Sequence, residues 1–329
     1  PPHNGIDAIV PSEGFLLAIE PGYDDFARLM PGLPERRIVY QCLSKAEVGQ
    51  RLLSAPASPH MPASRVVLDE GPPLEPGELA AFPLPIYVKT DAREARVKAD
   101  SVVRRAASVD EAVEVANRLM RDFRKVLVQG SVPGRKACVN FCIMDDAIVA
   151  ESMCLARHEN PHTGGLTSYR HTWWHQAMRD DALAKLERLG WTGVAMVEYK
   201  WHAPTRTFHF IELNARYWAA LHLDLYAGTD FPRLQIDRFF GAPAEAVAAQ
   251  PLGIACRHTL PADFGYAVSR IRDRKVALPS RIWTFLEFFL LFLRPGLESD
   301  LYFPGDRYLY RLQWKRFLGS LLARRTGGG

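Results

Sequence analysis

A chain of 329 residues with 48% hydrophobic and 24% charged residues has ample apolar material for one large core or two smaller ones. That excludes a disordered tail, a collagen-like repeat and a disulfide miniprotein. The net charge of +4, from 41 Lys/Arg against 37 Asp/Glu, is too mild for a dedicated nucleic-acid binder.

Five cysteines (Cys42, Cys138, Cys142, Cys154 and Cys256) form no C-x-x-C pair, which reads as reduced, buried thiols of a cytoplasmic protein. The opening Pro-Pro-His-Asn-Gly has no basic stretch followed by an apolar one, so no secretory leader is expected. A strand-like segment, Ile6 to Val10, arrives so early that the chain is expected to begin inside a domain.

Residues 1–40 read as a partial α/β unit: the Ile6–Val10 strand, then Phe15 to Ile19, then Arg37 to Tyr40. Residues 44–54 read as a helix with Ser44 as its N-cap and Glu47 completing a capping box. Dense prolines from Pro56 to Pro85 favour extended and turn structure. Ile86 to Lys89 reads as a strand, followed by a polar stretch over 90–100. Asp110 to Phe123 is an amphipathic helix opened by Ser108 and Glu111. Val126–Gln129, Val139–Ile143 and Ile148–Ala150 read as strands, the last two joined by a turn at Asp145 and Asp146. A helix over 175–189 precedes two strands, Val194–Tyr199 and Phe208–Asn214, with a turn around Pro204. The alternation gives an α/β or α+β class with a mixed sheet.

The last two strands carry the most informative pattern. Side chains alternate along a strand, so Glu212, Asn214 and Arg216 share one face. A hairpin symmetric about Pro204 and Thr205 places Glu198 opposite Glu212, with Cβ atoms roughly 5 Å apart. Facing like charges need compensation, and two carboxylates with an amide oxygen are a donor set that Mg²⁺ accepts. The plainer alternative is a solvated strand end with Glu198 paired to Arg216 or Lys200.

Glu198 followed by Ile211-Glu212-Leu213-Asn214-Ala215-Arg216 resembles the metal-binding signature of the ATP-grasp superfamily, in particular its bacterial carboxylate–amine ligases. Trp218 to His222 and Ala227 to Pro232 resemble the family's continuation. The resemblance covers residues 40–235. It implies an ATP-grasp fold over 41–235, with two α+β lobes (about 41–128 and 129–235) clasping a nucleotide. A partial N-terminal unit of the pre-ATP-grasp kind would precede it, and a helical, basic extension over 236–329 would follow. It further implies ATP and Mg²⁺ as cofactors (two ions, with Mn²⁺ as an alternative), Glu198, Glu212 and Asn214 holding the metal, and Lys45 and Lys89 reaching the phosphates. Val126 to Gly134 resembles the inter-lobe hinge that holds the base, with Gln129, Ser131 and Val132 as the nucleotide contacts.

Three departures stand beside the resemblance. Gln129 or Gly130 occupies the position of a hinge glutamate. Arg135 and Lys136 stand where a ribose-binding glutamate is common. The loop after Lys89 lacks glycines and offers Arg93, Arg96 and Lys98 to phosphate instead.

Residues 157–165 with Ser168, Tyr169 and Arg170 read as a polar functional loop whose Arg157 and Arg170 suit carboxylate or phosphate recognition. His158, His162, His171 and His175 fit no compact zinc spacing and are expected to serve hydrogen bonding.

Residues 282–293 are intensely apolar but fall short of the roughly 20 residues that cross a bilayer. Tyr308 to Leu322 is amphipathic, and the segment from Arg281 onward carries eight Lys/Arg against four Asp/Glu. Such a pair either lies on an anionic membrane through residues 282–325, at the inner face, or packs as a helical layer on the core or in a homodimer. On sequence alone the packed layer takes precedence. Thr326 to Gly329 is expected to fray.

The chain is therefore expected to be an ATP-dependent ligase acting on a small-molecule carboxylate and amine through an acyl phosphate. Arg216, with Arg157 or Arg170, would anchor the carboxylate. A phosphotransferase on the same scaffold is the alternative, as is a membrane-associated nucleotide-binding protein without ligase activity.

Overall fold

The computed structural model describes residues 5–54, 60–243, 248–303 and 305–326, with backbone alone for 321–326. The expected frayed residues 327–329 lie outside the described residues. The chain divides into two compact units: Pro1–Glu151, His175–Trp218 and Phe231–Val247 form the first, and Ser152–Trp174, Ala219–Asp230 and Ala248–Gly329 form the second.

The first unit opens with short helices, α1 (Glu13–Ala18), α2 (Tyr23–Ala27) and α3 (Arg36–Cys42). No strand forms over Ile6–Val10. The apolar run there does not suffice, because a strand needs a partner for its backbone, and Ile9 spends its N–H on the carbonyl of Leu29. Helix α4 (Lys45–Leu53) starts where expected, with Ser44 Oγ accepting from the Glu47 N–H at 3.2 Å. Only half of the capping box closes, since the Glu47 carboxylate pairs with Lys125 instead.

A four-stranded antiparallel sheet follows, in the order β1 (Ser64–Leu68), β4 (Lys125–Gly130), β2 (Ile86–Thr90) and β3 (Val102–Ala106). Helix α5 (Val109–Leu119), capped by Ser108, buries Ala112, Val115 and Ala116 against Ile86, Val88, Val126 and Val128. The opposite parity of the same strands points the other way. Lys89, Leu127 and Gln129 are buried there, and Gly49 of α4 comes so close that a Cβ would sit 3.2 Å from Leu127 Cδ1.

The rest of the first unit is built on β5 (Arg135–Met144), β8 (Gly193–His202) and β9 (Thr207–Asn214), antiparallel with β8 in the middle. Asp145 and Asp146, at φ 52° and 58°, form the tight turn out of β5. Helices α6 (Gln176–Leu189) and α8 (Phe231–Phe239) contact β5. Strand β6 (Ala147–Asn160) begins in the first unit and belongs to the second from Ser152 onward.

In the second unit β6 pairs with β7 (Leu166–Thr172), β7 with β10 (Ala255–Arg257), and β10 in parallel with β11 (Leu297–Ser299). The expected loop over 157–165 is a loop only from 161 to 165; residues 157–160 belong to β6, with a register shift around Arg157 and His158. Helices α7 (Leu221–Tyr226), α9 (Phe264–Arg272), α10 (Leu278–Leu290) and α11 (Tyr308–Thr326) complete this unit. All five cysteines are buried thiols.

Candidate functional site

The hairpin of β8 and β9 sets the site. Its ladder pairs Met196 with Asn214, Val197 with Leu213 and Glu198 with Glu212, then slips so that Tyr199 faces Phe210 and Ile211 is left over. The bulge exchanges the faces of β9 partway along. Before it, Phe208 and Phe210 are buried, and after it the buried side chains are Leu213 and Ala215. Glu212 and Asn214 are thereby turned to the other side, beside Glu198. The Asn214 amide nitrogen lies 3.2 Å from Glu212 Oε1 and 3.4 Å from Glu198 Oε1, so two carboxylates and an amide converge on one point.

Three lysines surround these carboxylates. Lys136 on β5 donates to Glu198 Oε2 at 2.9 Å. Lys45, first residue of α4, is gripped by Asp91, which accepts from its backbone N–H at 2.6 Å and its ammonium at 3.0 Å. Lys89, 6% exposed at the end of β2, donates to Gln129 Oε1 at 2.7 Å. Burial disfavours the charged form of Lys45, yet Asp91 and Glu212 outweigh it and hold its pKa above the usual lysine value. At Lys89 burial wins and the pKa is lowered, aided by Lys45 and Lys136 and resisted by Glu212 and Glu198. Glu212 is the reverse case: burial pushes its pKa up, but Lys45, Lys89, Lys136 and the Asn214 amide bring it below the ordinary glutamate value.

The facing carboxylates are therefore compensated inside the protein, by Lys136 and its neighbours. That differs from both readings of the sequence, in which either a metal or Arg216 or Lys200 supplied the counter-charge. Lys136, read from the sequence only as a departure from the family pattern, is the member of this cluster whose place was missed. Its signal is the second of two cations, after Arg135, entering a strand that then runs apolar from Ala137 to Val139, opposite Lys200 and two residues from the partner of Glu198.

Arg216 follows β9 and is held by Glu13 Oε2 at 3.0 Å and by Asn214 Oδ1 at 3.1 Å. A narrow cleft beside Glu212 is lined by Lys45, Gly49, Met61, Gln129, Phe210 and Ile211. The bulged Ile211 thus contributes an apolar wall next to the charged cluster. Among the expected hinge residues, the Gly130 N–H donates to Ala63 O at 2.8 Å and the Ser131 N–H to Pro83 O at 3.0 Å, while Ser131 Oγ donates to Leu84 O. Two of the three cations after Lys89 are also engaged: Arg93 pairs with Glu20 and Arg96 with Asp69.

Arg157 and Arg170 belong to the second unit. Arg157 is exposed, its guanidinium over the Tyr169 ring. Arg170 is 1% exposed and forms a double salt bridge to Asp300, at 2.8 and 2.9 Å. It holds β7 to the turn after β11, so the expectation that it recognises substrate gives way to a structural role. Burial would raise the Asp300 pKa, but Arg170 keeps it below the usual carboxylate value.

The histidines are dispersed among structural partners. His158 Nδ1 is 2.8 Å from Asp263, His162 reaches Ser269 and Asp273, and His175 caps α6 by accepting from the Met178 N–H. His171 lies in β7 and not on a helix with His175. Among the described residues no three His, Cys, Asp or Glu side chains converge as a metal site. What the hairpin offers a cation is two carboxylates and, with the Asn214 amide turned over from its present bond to Arg216, an amide oxygen: hard donors, with phosphate or water left to complete the shell.

No family model matches the sequence, and no curated protein matches it. The fold, however, is similar to solved structures. Biotin carboxylase from Campylobacter jejuni, a complex with β,γ-ATP, aligns at a TM-score of 0.56 and 14% identity over 76% of this chain. The chain spans 58% of that protein's length. D-Alanine–D-alanine ligase from Bacillus anthracis, complexed with ATP, aligns at 0.51 and 11% identity, covering 73% of this chain and 75% of the ligase. The biotin carboxylase domain of Hydrogenobacter thermophilus 2-oxoglutarate carboxylase, with MgADP and bicarbonate, aligns at 0.54 and 13% identity, covering 76% of this chain and 57% of that one.

Proposed function

The chain has the ATP-grasp fold, and from that premise we propose that it is an ATP-dependent ligase joining a carboxylate to an amine. The observation that carries this reading is the convergence of Glu198, Glu212 and Asn214 within a ring of Lys45, Lys89 and Lys136. A triphosphate with its metal brings both signs of charge to one place, and this cluster, with lysines held by Asp91, Gln129 and Glu198 around the two glutamates, offers partners for both.

In this reading Glu198, Glu212 and the Asn214 amide hold Mg²⁺, whose donor set they match. The bound metal neutralises phosphate oxygens as charge develops on them. Lys45 and Lys89 exchange Asp91 and Gln129 for phosphate, and Lys136 keeps Glu198 ionised and oriented. Met61, Phe210 and Ile211 are assigned the flat face of the base, for which their cleft, at about 10 Å³, must open. With the Gly130 and Ser131 N–H groups engaged elsewhere, the polar edge of the base falls to Val132 and the backbone around it. Arg216 is assigned the substrate carboxylate or the transferring phosphoryl group.

The carboxylate oxygen attacks the γ-phosphorus and the bond to ADP breaks, giving an acyl phosphate. The amine then attacks the acyl carbon, phosphate leaves, and the nitrogen loses a proton. ADP release with panels of amino acids and dipeptides tests the ligase, with hydroxylamine as the trap. A hydroxamate supports it. ADP formed without hydroxamate or amide, with phosphate retained on an acceptor, would instead establish a phosphotransferase.

A further inference from the structure

We propose that the second unit docks on an anionic membrane surface through the outward face of α10. The observation is an inverted helix. Over Leu278–Leu290 and the turn that extends it to Leu293, the residues facing the protein include Thr284, which is 2% exposed, and Glu287, which lies 3.6 Å from His158. Thr284 is tied inward by the Arg270 guanidinium at 3.1 Å. The large apolar side chains point the other way: Trp283 is 56% exposed, Phe289 54% and Leu293 79%, with Ile282, Phe285 and Phe292 beside them. A helix on a globular surface ordinarily shows the opposite polarity.

The surroundings decide what covers this face. Between Arg270 and Ser320 the sequence carries ten Lys/Arg and five Asp/Glu, a larger excess than the +4 of the whole chain. Two of those acids are turned inward, Glu287 toward His158 and Asp300 toward Arg170. Arg272, Arg274 and Lys275 lead into α10, Arg281 stands in its first turn and Arg294 follows its extension. Aromatic rings knit the layer together, Phe264 of α9 meeting both Phe288 of α10 and Phe317 of α11. Helix α11 adds the exposed cations Arg311, Lys315 and Arg316. A second copy of the chain packed face to face would oppose these cationic borders to one another. Anionic headgroups complement them, while the Trp and Phe side chains suit the boundary between headgroup and acyl chain. No helix among the described residues is long and apolar enough to cross a membrane, so α10 would lie in the plane of the surface.

The test is flotation of the full chain with vesicles of phosphatidylcholine alone or with about one-third phosphatidylglycerol. Binding at least about tenfold stronger to the anionic vesicles is expected, weakening with salt. Quenching of tryptophan fluorescence by brominated lipid should be lost in Trp283→Phe. Phe285→Ser with Phe289→Ser, both at exposed positions, should abolish flotation while leaving thermal unfolding unchanged. Absence of binding to either vesicle, or binding that the double substitution leaves intact, overturns the inference. So does a dimer in free solution that the double substitution splits, since a second copy then covers the face. None of these readouts depends on the ligase reading.

Discussion

Glu198 and Glu212 are the last residues in step across β8 and β9 before Ile211 breaks the ladder. Their carboxylates are held together by Lys136, Lys45, Lys89 and the Asn214 amide. Removal of either acid therefore removes a counter-charge and not merely a repulsion.

Glu212→Gln should lower turnover by on the order of 10²–10³-fold, as measured by ADP release. It should also lower the stability of the ligand-free protein. Because the folded pKa of Glu212 is depressed, its stabilisation is present above an unfolded value of about 4.3 and is lost as the pH falls through the folded one. At neutral pH the variant should melt below wild type. An unchanged rate would dismiss the metal assignment.

Lys89→Met should weaken Mg-ATP binding by roughly 10–100-fold, the worth of a hydrogen bond to a charged group. Isothermal titration measures this directly. An affinity equal to wild type would show that Lys89 stays with Gln129 when nucleotide binds.

Arg170→Met should cost about 3–5 kcal/mol in chemical denaturation, because it strands the buried Asp300 carboxylate. Nucleotide affinity should not change. A stable variant with poor substrate use would return Arg170 to the site.

His158 links stability to pH. Burial disfavours its cation, but hydrogen bonds to Asp263 and Glu287 prevail and its folded pKa is raised. The stabilisation is full below the unfolded value of about 6.5 and is lost as the pH rises through the folded one. His158→Gln should flatten that decline in a series of denaturation curves. A decline of equal slope in the variant would place its origin elsewhere.

Much of this was legible from local pattern. The caps Ser44 and Ser108 and the Asp145–Asp146 turn follow from short-range rules, and all are present. The pairing of Glu198 with Glu212 is present too, but it is reached through the Ile211 bulge and not through the hairpin symmetry that pointed to it. What escaped depends on partners far along the chain. Asp300 lies 130 residues from Arg170, so nothing near the arginine betrayed that it was engaged. The apolar Ile6–Val10 run lacked a strand to pair with, and the polar run through Arg157 and His158 joined a sheet because a register shift absorbed it. Lys136 was hidden differently, by arriving from β5, outside the hairpin being read.

The extra residue in β9 lets one strand meet two demands. With Ile211 set out of the ladder, Phe210 stays opposite Tyr199 and Glu212 opposite Glu198, so the strand supplies an apolar wall without giving up the charged cluster. Deleting Ile211 would keep those pairings and faces and remove only the wall. Deleting Leu213 would carry Asn214 and everything after it to the opposite face. A lineage carrying this fold can lose the bulge and keep the cluster, but it cannot lose a residue from the ladder beside it.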